Sequence, residues 1–206
     1  MHTIIKHRLL KHSYKKLFPI LNLFNNKKDY VLYFAYGANL SIDRFNKLGI
    51  LAEEIGSACL RNYELRYNLQ NEYLDKGYAG ANPKAGSEIW GTLFKVEKRG
   101  MHLLDILEWE VFGMYERVTA DVVSGENNYP NTSFYITKAI KEGLFAPKKY
   151  HEFILAQAKK RSFPKSYIDH IESLPFKEHF ELDTSFRLSN PSKKKEFFPK
   201  NFIVYI

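Results

Sequence analysis

Residues 31–48, VLYFAYGANLSIDRFNKL, pass from a strand-like to a helix-like pattern, and this passage sets the fold class. The apolar run VLYFA (31–35) is typical of a short buried strand. Gly37 allows a tight turn after that strand. Ser41 is a suitable N-cap for a helix that would run to about Leu48.

The turn between this strand and helix is the first candidate site. Residues 37–39 would present backbone N–H groups close to the start of the helix, where a carboxylate or a developing oxyanion is stabilised. Taken alone the signal is weak, because a strand, a glycine and a helix more often form a plain connection.

The remaining chain predicts a mixture of strands and helices without regular β-α-β alternation, so we expect an α+β fold. Residues 70–88 are polar and glycine-rich and predict a long loop that could shape a site. Gly91 lies inside a predicted strand and suggests that another chain or a ligand approaches closely there. The expected strands are 59–69, 89–96, 116–123, 132–136 and a final 202–206; the expected helices are 98–109, one that starts at Pro147 and one that starts at Pro164.

Charge is distributed unevenly along the 206 residues, whose formal net charge is +8. Residues 1–28 contain seven Lys or Arg and no acidic residue, whereas residues 29–174 contain 18 basic and 19 acidic residues. A nucleic-acid enzyme usually spreads positive charge over its working face. We therefore expect a body that binds a small molecule and no nucleic acid. The single cysteine, Cys59, excludes an internal disulfide and a multi-cysteine metal site.

The basic segment 1–28 has three interpretations. It is a loosely docked or disordered extension, a targeting peptide, or an arm that contacts a membrane surface or a nucleic acid. Its single Arg and single Ser are few for a transit peptide, and Lys15 and Lys16 interrupt the apolar region that a signal peptide needs. The expected location is cytoplasmic.

A second candidate site is the stretch 104–115, LDILEWEVFGMY, which places three carboxylates among apolar residues. A glutamate with apolar neighbours on both sides, such as Glu108, is a candidate for burial, and burial raises the pKa of a carboxyl group. The alternative is that Asp105, Glu108 and Glu110 only solvate one edge of a helix.

Four segments in register resemble the γ-glutamylcyclotransferases over about residues 30–174. The first, YFAYGANL (33–40) with Arg44 beyond it, is similar to the YFAYGSNL…R signature of that family. The others are 80–92, which is similar to its glycine-rich loop and WG strand, 104–115, similar to its LD..EGV..GMY block, and 146–150, similar to its P-x-x-Y stretch.

The resemblance implies a small mixed β-barrel flanked by helices, with 1–29 and 175–206 as extensions. It also implies one reaction: the α-amino group of a γ-glutamyl compound attacks its own γ-carbonyl, 5-oxoproline forms, and the attached amine leaves. No cofactor and no metal are needed for this reaction. The family's catalytic glutamate corresponds to Glu108. The substrate-binding residues it implies are Tyr33, Phe34, Ala35, Tyr36, Gly37, Ala38, Asn39, Leu40, Tyr115 and Tyr150.

The sequence departs from the family pattern at two places. Ala38 replaces the usual Ser, which removes a hydroxyl but leaves a backbone N–H, and Trp109-Glu110 replaces the usual Gly-Val after the glutamate. These changes keep a second hypothesis open, namely a non-catalytic binding protein on the same fold. A third hypothesis is an interaction protein that acts through the basic arm.

Overall fold

The computed structural model describes residues 29–71, 74–108 and 114–180. Five of the strands in these ranges close a barrel in the order β1-β3-β2-β4-β5, and two short strands form a separate parallel pair. The elements are β1 (Tyr30–Ala35), α1 (Ile42–Leu48), β2 (Ala52–Asn71), β3 (Leu74–Glu97), α2 (Lys98–Leu107), β4 (Tyr115–Ser124), β5 (Asn127–Thr137), β6 (Ala146–Pro147), α3 (Lys148–Lys160), α4 (Lys165–Ser173) and β7 (Phe176–Lys177).

The barrel is mixed, as the sequence predicts. β1 runs antiparallel to β3, from Tyr30 opposite Glu97 to Ala35 opposite Thr92. On its other side β1 runs parallel to β5, where Tyr33 lies opposite Ser133. This single parallel contact closes the sheet and confirms the α+β barrel with flanking helices.

The prediction of a loop over residues 70–88 is wrong, because most of this range belongs to a long hairpin of β2 and β3. Residues 72 and 73 lie outside the described part of the chain. The glycines here mark close packing rather than a free loop. A Cβ on Gly80 would lie 2.1 Å from Thr137 Oγ1, and one on Gly77 would lie 2.4 Å from the Tyr67 carbonyl oxygen. Composition could not reveal this, because the backbone of β3 forms its hydrogen bonds to β2 whether the side chains are polar or apolar.

The hydrophobic core has two parts, one on each face of β1. Phe34 and other barrel residues pack with α3 and α4, whereas Tyr33 and Ala35 belong to the part that packs with α1 and α2. This division follows from the alternation of side chains along a strand. Fully burying each large apolar side chain contributes about 1.5–3 kcal/mol. The largest fully buried side chains include Phe34, Phe45, Phe94 and Phe134.

The ends of the helices agree with local signals in most cases. The Ser41 side chain accepts a hydrogen bond from the Asp43 N–H at 3.3 Å, and Gly49 ends α1 with a left-handed φ of 70°. α2 ends at Leu107, so Glu108 is its C-cap residue rather than part of the helix as predicted. Pro147 and Pro164 stand immediately before α3 and α4.

Gly91 does mark a close approach, but the approach comes from within the same chain. A Cβ at this position would lie 2.3 Å from the carbonyl oxygen of Ala35 and 2.7 Å from the ring of Phe34, both on β1. The glycine therefore lets β1 and β3 pack together, and no ligand or second chain is needed to explain it.

Within the described ranges, no helix has the length and apolar character that crossing a bilayer requires. The basic segment 1–28 and the predicted strand 202–206 lie outside the described residues, and the predictions made for them stand untested.

Candidate active site

The turn that follows β1 passes close to a tyrosine of α3. Residues 37–40 form a turn in which the Leu40 N–H donates to the Gly37 carbonyl oxygen at 3.2 Å. A Cβ on Gly37 would lie 3.0 Å from Tyr150 Oη and 3.2 Å from Ala79 Cβ. Glycine is therefore suited to this position because the space beside it is already taken by the Tyr150 hydroxyl and by β3.

Asn39 connects this turn to Glu108. The Asn39 side chain is buried, and its Nδ2 donates to Glu108 Oε1 at 2.8 Å and to Tyr33 Oη at 3.0 Å. Asn39 Oδ1 accepts a hydrogen bond from Arg44 Nε at 2.8 Å. Glu108 is half-buried at the end of α2. The carboxylate thus lies beside the turn, and it is not merely part of a solvated helix edge.

Two predicted tyrosines are anchored to the same residue of β3. The Tyr115 hydroxyl donates to the Ala79 carbonyl oxygen at 2.7 Å. The Ala79 N–H donates to the Tyr150 hydroxyl oxygen at 3.3 Å. Both rings are buried, and they come from β4 and α3. Their meeting at Ala79 depends on the hairpin that the sequence did not predict.

Tyr36 is anchored in the same way two residues further along β3. Its hydroxyl donates to the Tyr135 carbonyl oxygen at 2.5 Å and accepts from the Ala81 N–H at 3.2 Å. The buried phenols of Tyr36, Tyr115 and Tyr150 therefore all contact backbone groups of residues 79–81 or of β5. Such contacts fix ring positions, which is what a shaped pocket needs.

The tyrosines around Glu108 remain protonated. Burial raises the pKa of the Tyr33, Tyr36, Tyr115 and Tyr150 phenols well above the usual range, and the negative charge of Glu108 adds to each increase. At neutral pH these groups can donate or accept hydrogen bonds but cannot take up a proton as a base. Of the groups in this set, Glu108 is the one suited to accept and return a proton.

A second carboxylate lies one helical turn before Glu108. Asp105 is buried, accepts a hydrogen bond from the Tyr135 hydroxyl at 2.7 Å, and has Arg117 Nε at 3.4 Å. Because these partners already hold it, Asp105 neither solvates a helix edge nor has the freedom of a general base. Tyr135 was not a predicted site residue, since nothing in a strand sequence shows which carboxylate its hydroxyl will reach.

The other predicted site residues have different surroundings. The Phe34, Ala35 and Leu40 side chains are buried in the hydrophobic core, so only their backbone could serve a ligand. Ala38 is partly buried against the barrel core. Residues 109–113, which include Trp109 and Glu110, lie outside the described part of the chain.

No group of three or more His, Cys, Asp or Glu that could hold a metal is found among residues 29–71, 74–108 and 114–180. Arg44 contacts Asn39 directly. It was noted in the sequence only as the arginine beyond the segment 33–40 and was not among the predicted site residues.

The chain resembles named proteins in both sequence and structure. Residues 88–171 match the model of the AIG2-like family. A Homo sapiens protein named gamma-glutamylcyclotransferase is 26% identical over 147 residues, which cover 69% of this chain and 78% of that protein. The Bos taurus protein of the same name is 28% identical over 148 residues, with the same shares covered.

Two solved structures share the fold. One titled gamma-glutamyl cyclotransferase has a TM-score of 0.65 at 22% identity and covers 73% of this chain and 91% of its own. YkqA from Bacillus subtilis has a TM-score of 0.63 at 24% identity and covers 79% of this chain and 60% of its own. The sequence matches show that the chain resembles proteins named gamma-glutamylcyclotransferase, and the solved structures show that it shares their fold.

Proposed function

We propose that this protein is a γ-glutamyl cyclotransferase that converts a γ-glutamyl amino acid or a γ-glutamyl amine to 5-oxoproline and the free amine. The observation that carries the proposal is the Asn39–Glu108 hydrogen bond of 2.8 Å, which holds a carboxylate beside the turn 37–40. The similarity to proteins named gamma-glutamylcyclotransferase supports the same general activity.

The reaction needs a base before it needs anything else. A free α-amino group has a pKa of about 7.7–8.0, so at pH 7 it is mostly ammonium and is not nucleophilic. In our proposal Glu108 accepts one proton from this ammonium group. The freed nitrogen attacks the γ-carbonyl carbon and closes a five-membered ring, with a tetrahedral intermediate that carries an oxyanion.

The same carboxyl group then completes the reaction. The ring nitrogen gives up its second proton to water, and Glu108 returns its own proton to the nitrogen of the attached amine. The bond between that amine nitrogen and the γ-carbon then breaks as the oxyanion re-forms the carbonyl, and 5-oxoproline remains. General acid–base catalysis of this kind contributes roughly 10²–10⁴-fold in rate. Because nucleophile and carbonyl belong to one molecule, a pocket that holds the glutamyl chain folded supplies much of the remaining acceleration.

The surrounding residues have positioning roles in this proposal. The backbone N–H groups of residues 37–39 hold the α-carboxylate or the oxyanion, a role that survives the exchange of serine for Ala38. The protonated phenols of Tyr36, Tyr115 and Tyr150 line the pocket without competing for the proton. The reaction needs no cofactor.

The test is release of 5-oxoproline from a panel of γ-glutamyl amino acids and γ-glutamyl amines. We expect Glu108→Gln, which keeps the shape of the side chain, to lose about 10²–10⁴-fold in kcat. The matched control is Glu126→Gln, in the exposed turn at the far end of the ten-residue β4 from Tyr115, which we expect to match the wild type. Equal turnover by Glu108→Gln and the wild type would refute the assignment of the base.

Binding of a γ-glutamyl compound without any release of 5-oxoproline would favour the second candidate, a non-catalytic binding protein. The absence of serine at position 38 favours this alternative. Isothermal titration of the panel against the wild type distinguishes the two, because the alternative predicts affinity without turnover.

A further inference from the structure

A chain of two hydrogen bonds runs from α1 through the turn before it to the proposed base at the end of α2. Arg44 lies in α1, Asn39 in the turn before it, and Glu108 at the end of α2. Arg44 Nε donates to Asn39 Oδ1 at 2.8 Å, and Asn39 Nδ2 donates to Glu108 Oε1 at 2.8 Å. The amide of Asn39 therefore lies between a cation and an anion.

The two ends of this chain agree on the orientation of the amide. A guanidinium group can only donate hydrogen bonds, so the atom that faces Arg44 must be the oxygen of Asn39. An ionised carboxylate can only accept, so the atom that faces Glu108 must be the nitrogen. The second proton of that nitrogen is directed at Tyr33 Oη at 3.0 Å.

We infer that Arg44 is a positioning residue for Glu108 and that it acts through Asn39, whose amide it holds with the donor side towards the carboxylate. The inference rests on the proposed function, because it assigns a role within the same site. The terminal torsion of an asparagine is broad and roughly two-fold. Without a donor on Oδ1, the flipped amide would place its oxygen against Glu108 and repel the carboxylate.

The electrostatics of the site are consistent with this role. The positive charge of Arg44 partly opposes the rise that burial and Glu108 cause in the pKa of Tyr33, so the guanidinium lies close enough to affect the same groups. Among the described residues, the charged and titratable groups near Glu108 are Arg44 of α1, Asp105 of α2, Tyr33 and Tyr36 in and just after β1, Tyr115 of β4, Tyr135 of β5 and Tyr150 of α3.

The experiment is a double-mutant cycle on kcat with the full chain. We expect Arg44→Met to lower kcat about tenfold and Asn39→Ala to lower it by roughly the same factor or more, as expected when a charge-assisted hydrogen bond is lost. If Arg44 acts through Asn39, Arg44→Met has no further effect in the Asn39→Ala background. The control Lys47→Met removes an exposed charge from the same helix and is expected to match the wild type.

A pH profile adds a readout that a merely structural role would not change. Loss of a donor to a carboxylate disfavours its ionised form, so the acidic limb of the kcat/KM profile should move to higher pH in Arg44→Met. Circular dichroism and thermal unfolding establish that each variant is folded. If Arg44→Met does not fold, Arg44→Gln takes its place in the cycle, since its shorter neutral side chain cannot offer a charged donor to Asn39.

A tenfold loss that persists in the Asn39→Ala background would overturn the inference, because Arg44 would then act independently of Asn39. A second measurement separates this failure from failure of the proposed function. The ¹³C resonance of the labelled Glu108 side-chain carboxyl, identified by its loss in Glu108→Gln, is titrated in the same four variants without substrate. We expect Arg44→Met to move this titration clearly more where Asn39 is present than in the Asn39→Ala background, whether or not any substrate is turned over.

Discussion

The buried pair of Tyr135 and Asp105 allows a quantitative test of how the barrel holds α2. The Tyr135 hydroxyl donates to Asp105 Oδ1 at 2.7 Å, and both residues are at most 9% exposed. Tyr135→Phe removes that hydroxyl but keeps the ring and its edge-on contact with Tyr33 at a centroid distance of 5.8 Å. The substitution therefore isolates one hydrogen bond to a buried carboxylate.

The expected cost follows from the charge on the acceptor. A hydrogen bond to a charged group contributes about 1.5–3 kcal/mol. Arg117 Nε still lies 3.4 Å from Asp105 Oδ1 after the change, so part of the compensation remains. We expect the free energy of unfolding to fall by about 2 kcal/mol, roughly a 30-fold change in the folding equilibrium.

Urea denaturation followed by circular dichroism measures this difference, with an unchanged m-value as the check that the two states are the same. Tyr30→Phe is the control, because Tyr30 is 39% exposed and we expect a change within about 0.5 kcal/mol. In an Asp105→Ala background the cost of Tyr135→Phe should largely disappear. A cost below about 0.5 kcal/mol, or the same cost in both backgrounds, would refute the reasoning.

Two other predictions concern stability. Burial lowers the pKa of His151 in the folded state, so the unfolded chain binds the proton first, and stability falls as pH decreases through about 6.5. His151→Gln should flatten unfolding curves measured between pH 7.5 and 5.5, whereas His179→Gln, at an exposed position, should not. Gly91→Ala should lower the free energy of unfolding in urea by about 3 kcal/mol or more, because the added Cβ meets the Ala35 carbonyl oxygen. Gly125→Ala has open space around it but a φ of 58°, and it should lower this free energy by about 1 kcal/mol. Equal losses in the two variants would contradict the argument.

Several features of the fold could be predicted because they depend on neighbours in the chain. The strand 31–35, the cap at Ser41 and the helix end at about Leu48 are confirmed, since a buried strand, a capping hydroxyl and a left-handed glycine at position 49 act over a few residues. The resemblance of four segments to the γ-glutamylcyclotransferases could also be recognised in the sequence, and it predicted the mixed barrel. The hairpin of β2 and β3 was missed because glycine and polar residues indicate a loop when their partner strand is unknown.

The candidate site shows the same division. Glu108 and the turn 37–40 could be singled out from local sequence and from the family resemblance. Their contact could not, because Asn39 and Glu108 are 69 positions apart and meet only when α2 packs beside the end of β1. The role proposed for Arg44 depends on that contact, whereas the anchoring of the tyrosines on residues 79–81 depends on the hairpin of β2 and β3.

By itself, then, the sequence determined the strand 31–35, the capped helix that follows it and the fold class, because backbone preferences and capping act between neighbours in the chain. The resemblance of its motifs to a known family singled out Glu108 as the carboxylate proposed as the base. The tertiary structure decided which side chains meet: Asn39 with Glu108, Tyr115 and Tyr150 with Ala79, and Tyr135 with Asp105. Barrel closure and the packing of α2 and α3 against the barrel bring these pairs together, and both depend on contacts between segments far apart in the chain.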